Sequence, residues 1–335
     1  MTDSISNRTH SQEVSDFNFK DGTTLPTVKL SYLDLNTHSS KTALVITCFR
    51  GRLQSTLNFA TGALKNHRTV VVALFGNGES SSPSNEPVFP RSISYEDCVR
   101  AQKRLLEFHL GISSLDVVLG FSMGGQCTYY WSLMYPDFMQ NAIIICSSAR
   151  TSRHNYQFLE GPKAALQNSL YYNSESPAES STEPSHGVHA FGKAYSAWLT
   201  SAQWFDQELY KSLGFASLQE WDYDTTLMKY AGWQPNDLLS MLHMWQEGNV
   251  TDLFGPDSGS LSATLSRIKA RVLLMPCETD QYFRPDASQR EAQCIPKASL
   301  DVMPSVWGHL AGSGASKEDV DWMDQRVTDL LQSSE

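Results

Sequence analysis

The run Leu115-Asp116-Val117-Val118-Leu119-Gly120-Phe121-Ser122-Met123-Gly124 decides the fold. Five strand-prone residues lead into G-x-S-x-G at residues 120–124, and a helical pattern over residues 124–135 ends at Pro136. A serine between a strand and a helix sits on a strained turn. The positions two before and two after it must be glycine, because a side chain there would meet neighbouring backbone. The helix N-terminus behind it presents a positive dipole end where negative charge would develop. Ser122 is therefore the candidate nucleophile. The motif alone occurs by chance; the strand and helix on either side give it meaning.

Working outward, extended stretches at 17–20 and 25–35 flank an Asp21-Gly22 turn. Nearly continuous apolar runs follow at 42–49 and 69–75, then at 142–146 and 270–276, with a weaker one at 300–304. Runs of this kind suit strands buried on both faces of a parallel sheet. Helical patterns at 93–110 and 317–331 alternate with them, which predicts an α/β class: a doubly wound, mainly parallel sheet. Residues 152–266 break the rhythm. They are rich in aromatics, among them Trp198, Trp204, Trp221 and Trp245, and contain a Ser/Pro/Glu-rich loop at 173–185. The sequence thus predicts a core of 17–151 and 267–335, a helical cap at 152–266, and a flexible tail at 1–16.

A serine hydroxyl is a weak nucleophile and needs a base that an acid orients. The chain order expected here is Ser, acid, His. Asp280 follows the strand pattern near 272–276. His309 follows the last strand-like stretch and comes after every other histidine of the chain. Glu278 competes for the acid role; Asp280 lies deeper in the loop. An oxyanion needs two positioned N–H donors. The backbone of Met123 supplies one, and the loop Cys48-Phe49-Arg50-Gly51 the other, with Phe49 the first choice and Arg50 the next. The Arg50 side chain either joins an ion pair, as most loop arginines do, or reaches the pocket and suits a carboxylate or phosphate. Tyr282 and Trp307, beside the acid and the histidine, are candidate substrate contacts. The Gly76-Asn77-Gly78 stretch lacks the lysine and spacing of a phosphate loop and reads as a turn leaving a strand.

Composition excludes some classes. A net charge of −10 argues against nucleic acid, whose binding needs a basic face. No run of about 18 apolar residues predicts a membrane span. Six cysteines stand singly, without a C-x-x-C pair, and read as reduced, buried thiols. No histidine ligand pattern is present, so neither metal nor cofactor is expected. The first 13 residues lack a basic start and an apolar stretch, and residues 330–335 carry no lipidation signal; the expected address is cytoplasmic. A homodimer through the aromatic-rich cap is the expected assembly.

Longer stretches carry a resemblance. Residues 89–102, GFSMGGQ at 120–126, Tyr135-Pro136-Asp137, SSARTSRHN at 147–155, 236–239 and IKARVLLMPCETDQYFRP at 268–285 are similar to the homoserine O-acetyltransferase family of α/β-hydrolases. The resemblance spans about 42 to 312. It implies the α/β-hydrolase fold, a Ser122/Asp280/His309 triad, a cap over the site, an acyl-serine intermediate, and Phe49 in the oxyanion loop. Two departures stand out. Leu310 follows His309, where the family has an aspartate, and Phe191-Gly192-Lys193-Ala194 shows no equivalent of the family's carboxylate-gripping arginine. Homoserine is therefore not the expected substrate. Hydrolysis of a carboxylic ester or thioester through acyl-Ser122 is expected first. Acyl transfer from a thioester such as acetyl-CoA to an alcohol or amine comes second, and a non-acyl cyclase or binding protein third.

Overall fold

Short apolar runs hold the centre of the sheet because each is buried on both faces. In the computed structural model, which describes residues 9–90, 92–169, 186–255 and 259–333, they are β3 (Thr42–Ile46), β4 (Arg68–Val72), β5 (Leu115–Phe121), β6 (Met139–Ile145) and β7 (Arg271–Met275). With β1 (Thr9–Asn18), β2 (Thr24–Leu35) and β8 (Ala298–Leu300) they make an eight-stranded sheet in the order β1-β2-β4-β3-β5-β6-β7-β8. β1 and β2 pair antiparallel, as do β2 and β4, and every other pairing is parallel. The period of two sorts side chains between two cores: Leu44, Ile46, Val70 and Val72 enter one, while Ala43, Val45 and Val71 enter the other.

Helices cover both faces. α1 (Tyr95–Arg104) starts in a reciprocal cap, with the Ser94 hydroxyl accepting from the Asp97 N–H and the Asp97 carboxylate accepting from the Ser94 N–H. It packs with α2 (Met123–Met134) on the first core. Between β6 and β7 lie α3 (Arg153–Gln167), α4 (His186–Ser196), α5 (Leu218–Thr226) and α6 (Pro235–Gln246). Asp237 of α6 accepts from both the N–H and hydroxyl of Ser84, which ties this helical segment to the loop after β4. α7 (Pro285–Ala292) follows β7, and α8 (Lys317–Gln332) seals the second core with Met323 and Val327. No helix among the described residues is long and apolar enough to cross a membrane.

The expected flexible tail needs correction. Residues 9–16 belong to β1, which pairs with β2 from Thr9 opposite Leu33 to Asn18 opposite Thr24. Only Val14 and Phe17 of this strand are buried, so its sequence lacks the apolar alternation that marks a strand. Residues 1–8 and the 173–185 loop lie outside the described residues.

Candidate active site

Ser122 occupies the turn between β5 and α2 with φ 57° and ψ −123°, far from the helical and extended regions. The reason is local crowding. A Cβ on Gly120 would lie 2.0 Å from the Gly124 carbonyl oxygen, and one on Gly124 would lie 2.5 Å from the Ile46 oxygen. The strained backbone is pinned on both sides: the Ser122 N–H donates to Ile145 O at 2.9 Å, and its carbonyl accepts from the Ser147 hydroxyl at 2.7 Å. Met123 opens α2, so its amide is among the first-turn N–H groups that have no partner within the helix.

Asp280 is buried in the loop after β7. Its Oδ1 accepts from the amides of Tyr282 and Phe283, each at 3.0 Å, and its Oδ2 lies 2.6 Å from His309 Nδ1. Glu278, the competing acid, is exposed. The His309 ring is boxed by Phe121 and Tyr282, whose centroids are 4.6 and 4.3 Å away. Thr279 joins the two loops, a role its sequence position does not signal. Its hydroxyl donates to Ser305 O at 2.6 Å and accepts from the Gly308 N–H at 3.1 Å. The Leu310 N–H donates to Leu199 O at 3.1 Å, so the helical segment also holds the histidine loop.

Ser122 and His309 open into one cavity of about 350 Å³. Phe49 and Arg50 line it from the loop after β3, and Tyr195, Leu199 and Trp221 from the helical segment. The Phe49 ring stacks on Tyr195 at 5.6 Å. Arg50 reaches the cavity with its guanidinium 3.8 Å above the Tyr230 ring, and its side chain forms no ion pair among the described residues. Two expected substrate contacts stand elsewhere. Tyr282 is buried behind His309, where its amide serves Asp280. Trp307 packs edge-on against Trp204 at 5.9 Å, in the aromatic cluster of the helical segment. Large flat side chains next to a cavity-lining loop fill its back as readily as its front, and sequence does not tell the two apart.

Metal-type ligands come together among the described residues at Cys146, Asp280 and His309, with donor atoms within 4.8 Å of one another. Burial pushes the Cys146 thiol far up, keeping it protonated, and the carboxylate is already committed to His309 and two amides. That donor set suits an acid–base pair better than a cation.

Residues 45–313 match the alpha/beta hydrolase fold family. Ethyl acetate hydrolase from Pseudomonas veronii is 33% identical over 316 residues, covering 89% of this chain and 87% of that protein. A homoserine O-acetyltransferase from Haemophilus influenzae is 31% identical over 258 residues, covering 72% and 68%. Among solved structures, the acetyl esterase MekB superposes with a TM-score of 0.88 at 31% identity, over 97% of both chains.

Proposed function

Because this chain belongs to the alpha/beta hydrolase fold family, we propose that it is a serine esterase that hydrolyses small carboxylic esters through an acyl-Ser122 intermediate. One observation carries the reading. A buried carboxylate is bonded at 2.6 Å to Nδ1 of His309, and His309 shares a cavity with a serine on a strained strand-to-helix turn. With Nδ1 occupied, Nε2 is left to take the Ser122 proton as Oγ attacks the ester carbonyl. The tetrahedral oxyanion is held by the Met123 and Phe49 amides. The C–O bond to the alcohol breaks, and His309 returns the proton to the leaving alkoxide. Water then gives a proton to His309 and attacks the acyl-serine, which releases the acid and regenerates Ser122. The helices between β6 and β7 act as a cap, and a cavity of about 350 Å³ suits a small substrate.

Acyl transfer to an acceptor is the second reading, supported by the homoserine O-acetyltransferase relatives. Leu310 weighs against an amino-bearing acceptor, because it puts an apolar side chain at the position directly after the histidine, where the homoserine enzymes carry an aspartate. Intact-protein mass spectrometry separates the two. Brief exposure to p-nitrophenyl acetate is expected to give a short-lived acetyl adduct on the wild type and none on Ser122→Ala, whose turnover falls at least about a thousandfold. A long-lived adduct from acetyl-CoA would favour transfer. Turnover that survives Ser122→Ala would remove both readings.

A further inference from the structure

The cavity differs in charge from the rest of the molecule. The chain carries a net −10, yet among the described residues the charged side chains lining the cavity beside His309 are two cations, Arg50 and Lys229, with no aspartate or glutamate. Lys229 is neutralised by Asp224, whose oxygen lies 3.0 Å from its Nζ. Arg50 is not. It has no carboxylate partner among the described residues, its Nε is buried without a hydrogen bond, and its Nη2 reaches the Lys229 carbonyl at 3.5 Å. The guanidinium is nonetheless held in place, face-on to Tyr230 at 3.8 Å.

The backbone adds a second, independent sign. Arg50 has φ 54°, in the left-handed region. The Gly51 N–H donates to Cys48 O at 2.8 Å, closing a tight turn with Phe49 and Arg50 at its centre. Glycine is the unstrained residue at such a position. The turn cannot relax by shifting along the chain, because a Cβ on Gly51 would lie 2.7 Å from the Cys48 nitrogen. An arginine kept there against its conformational preference, unpaired and facing the nucleophile's cavity, points to use rather than packing.

We propose that Arg50 recognises a carboxylate on the substrate, so that the preferred esters carry an anionic group a few bonds from the reacting carbonyl. This rests on the esterase reading and narrows it. Hydrolysis of such an anionic ester consumes one water and releases a dicarboxylate with a neutral alcohol, or a simple carboxylate with a hydroxy acid, according to which half bears the charge.

Two matched pairs of esters test it, with an isopropyl group replacing the carboxylate in each neutral member. Ethyl hydrogen succinate against ethyl isocaproate places the charge on the acyl half, and acetoxypropionate against isoamyl acetate places it on the alcohol half. The wild type is expected to favour the charged member of at least one pair in kcat/KM. Arg50→Gly, which suits the left-handed turn, should lower that charged-to-neutral ratio about 10- to 100-fold, and Arg50→Lys should keep part of it. A ratio that Arg50→Gly does not change, or a wild type that prefers both neutral esters, overturns the proposal. Turnover of p-nitrophenyl acetate keeps the two levels apart. Turnover that depends on Ser122 but shows no ratio effect overturns the role of Arg50 alone, and the lack of any turnover in the wild type overturns the esterase reading with it.

Discussion

Asp280 commits both of its oxygens, one to the amides of Tyr282 and Phe283 and the other to His309. Asp280→Asn preserves the shape but can turn an N–H toward Nδ1, which moves the imidazole proton to Nε2 and leaves nothing to accept from Ser122. A fall in kcat of about ten thousandfold with little change in KM is expected, the size such a tautomer change has in serine enzymes of this design. Steady-state kinetics beside an unchanged circular dichroism spectrum would check it. An activity within tenfold of wild type would mean that Asp280 does not orient the base. At this scale the meeting of Asp280 with His309, and of His309 with Ser122 at one cavity, was legible from a set order of residue types along the chain. It was silent on Thr279, because its two partners lie at residues 305 and 308 in another loop. It was silent too on the strain at Arg50, since any of several residues could stand in an ordinary loop. Tyr282 and Trp307 were read as candidate substrate contacts, and only packing shows Tyr282 buried against His309 and Trp307 set against Trp204.

At the scale of elements, Glu291 of α7 bonds to α2 and to the chain just after β6. It accepts from the Tyr129 hydroxyl at 2.5 Å and from the Ala149 N–H at 2.9 Å. Burial pushes its carboxyl up to about 7 from 4.5. A raised value favours the protonated form in the folded state. Its contribution is therefore fully present below pH 4.5 and is lost as pH rises through about 7. The loss is up to about 3 kcal/mol for a fully buried group. Glu291→Gln, neutral at every pH, should flatten the decline of urea-unfolding stability between pH 4.5 and 7; an unchanged slope would show that Glu291 does not cause it. Elements were legible in proportion to their burial. β3 to β7 read clearly because both faces are covered. β1 did not, because its polar positions look outward and mimic a tail. β8, three residues long, carried little pattern to read.

At the scale of the whole molecule, the alternation of apolar runs and helical patterns was enough to foresee the layered α/β architecture. The arrangement of the helices between β6 and β7 was not. Their contacts with the site, such as Leu310 to Leu199, join distant parts of the chain through backbone groups that every residue possesses. The sheet's first strand bears on what happens when molecules meet. A sheet edge is a template for further strands, and β1 occupies the edge of β2 while offering a poor one of its own. His10, Gln12, Glu13 and Ser15 lie along it, and Asp16 breaks its extended run with φ 48°. Deleting residues 1–18 should expose β2, with Leu30 and Tyr32 behind it, and static light scattering should then report growing multimers where the full chain gives a constant signal. A truncated chain that scatters no more than the full one would show that β1 has no such role. On this view the unremarkable edge strand is a guard against fibrillar self-assembly.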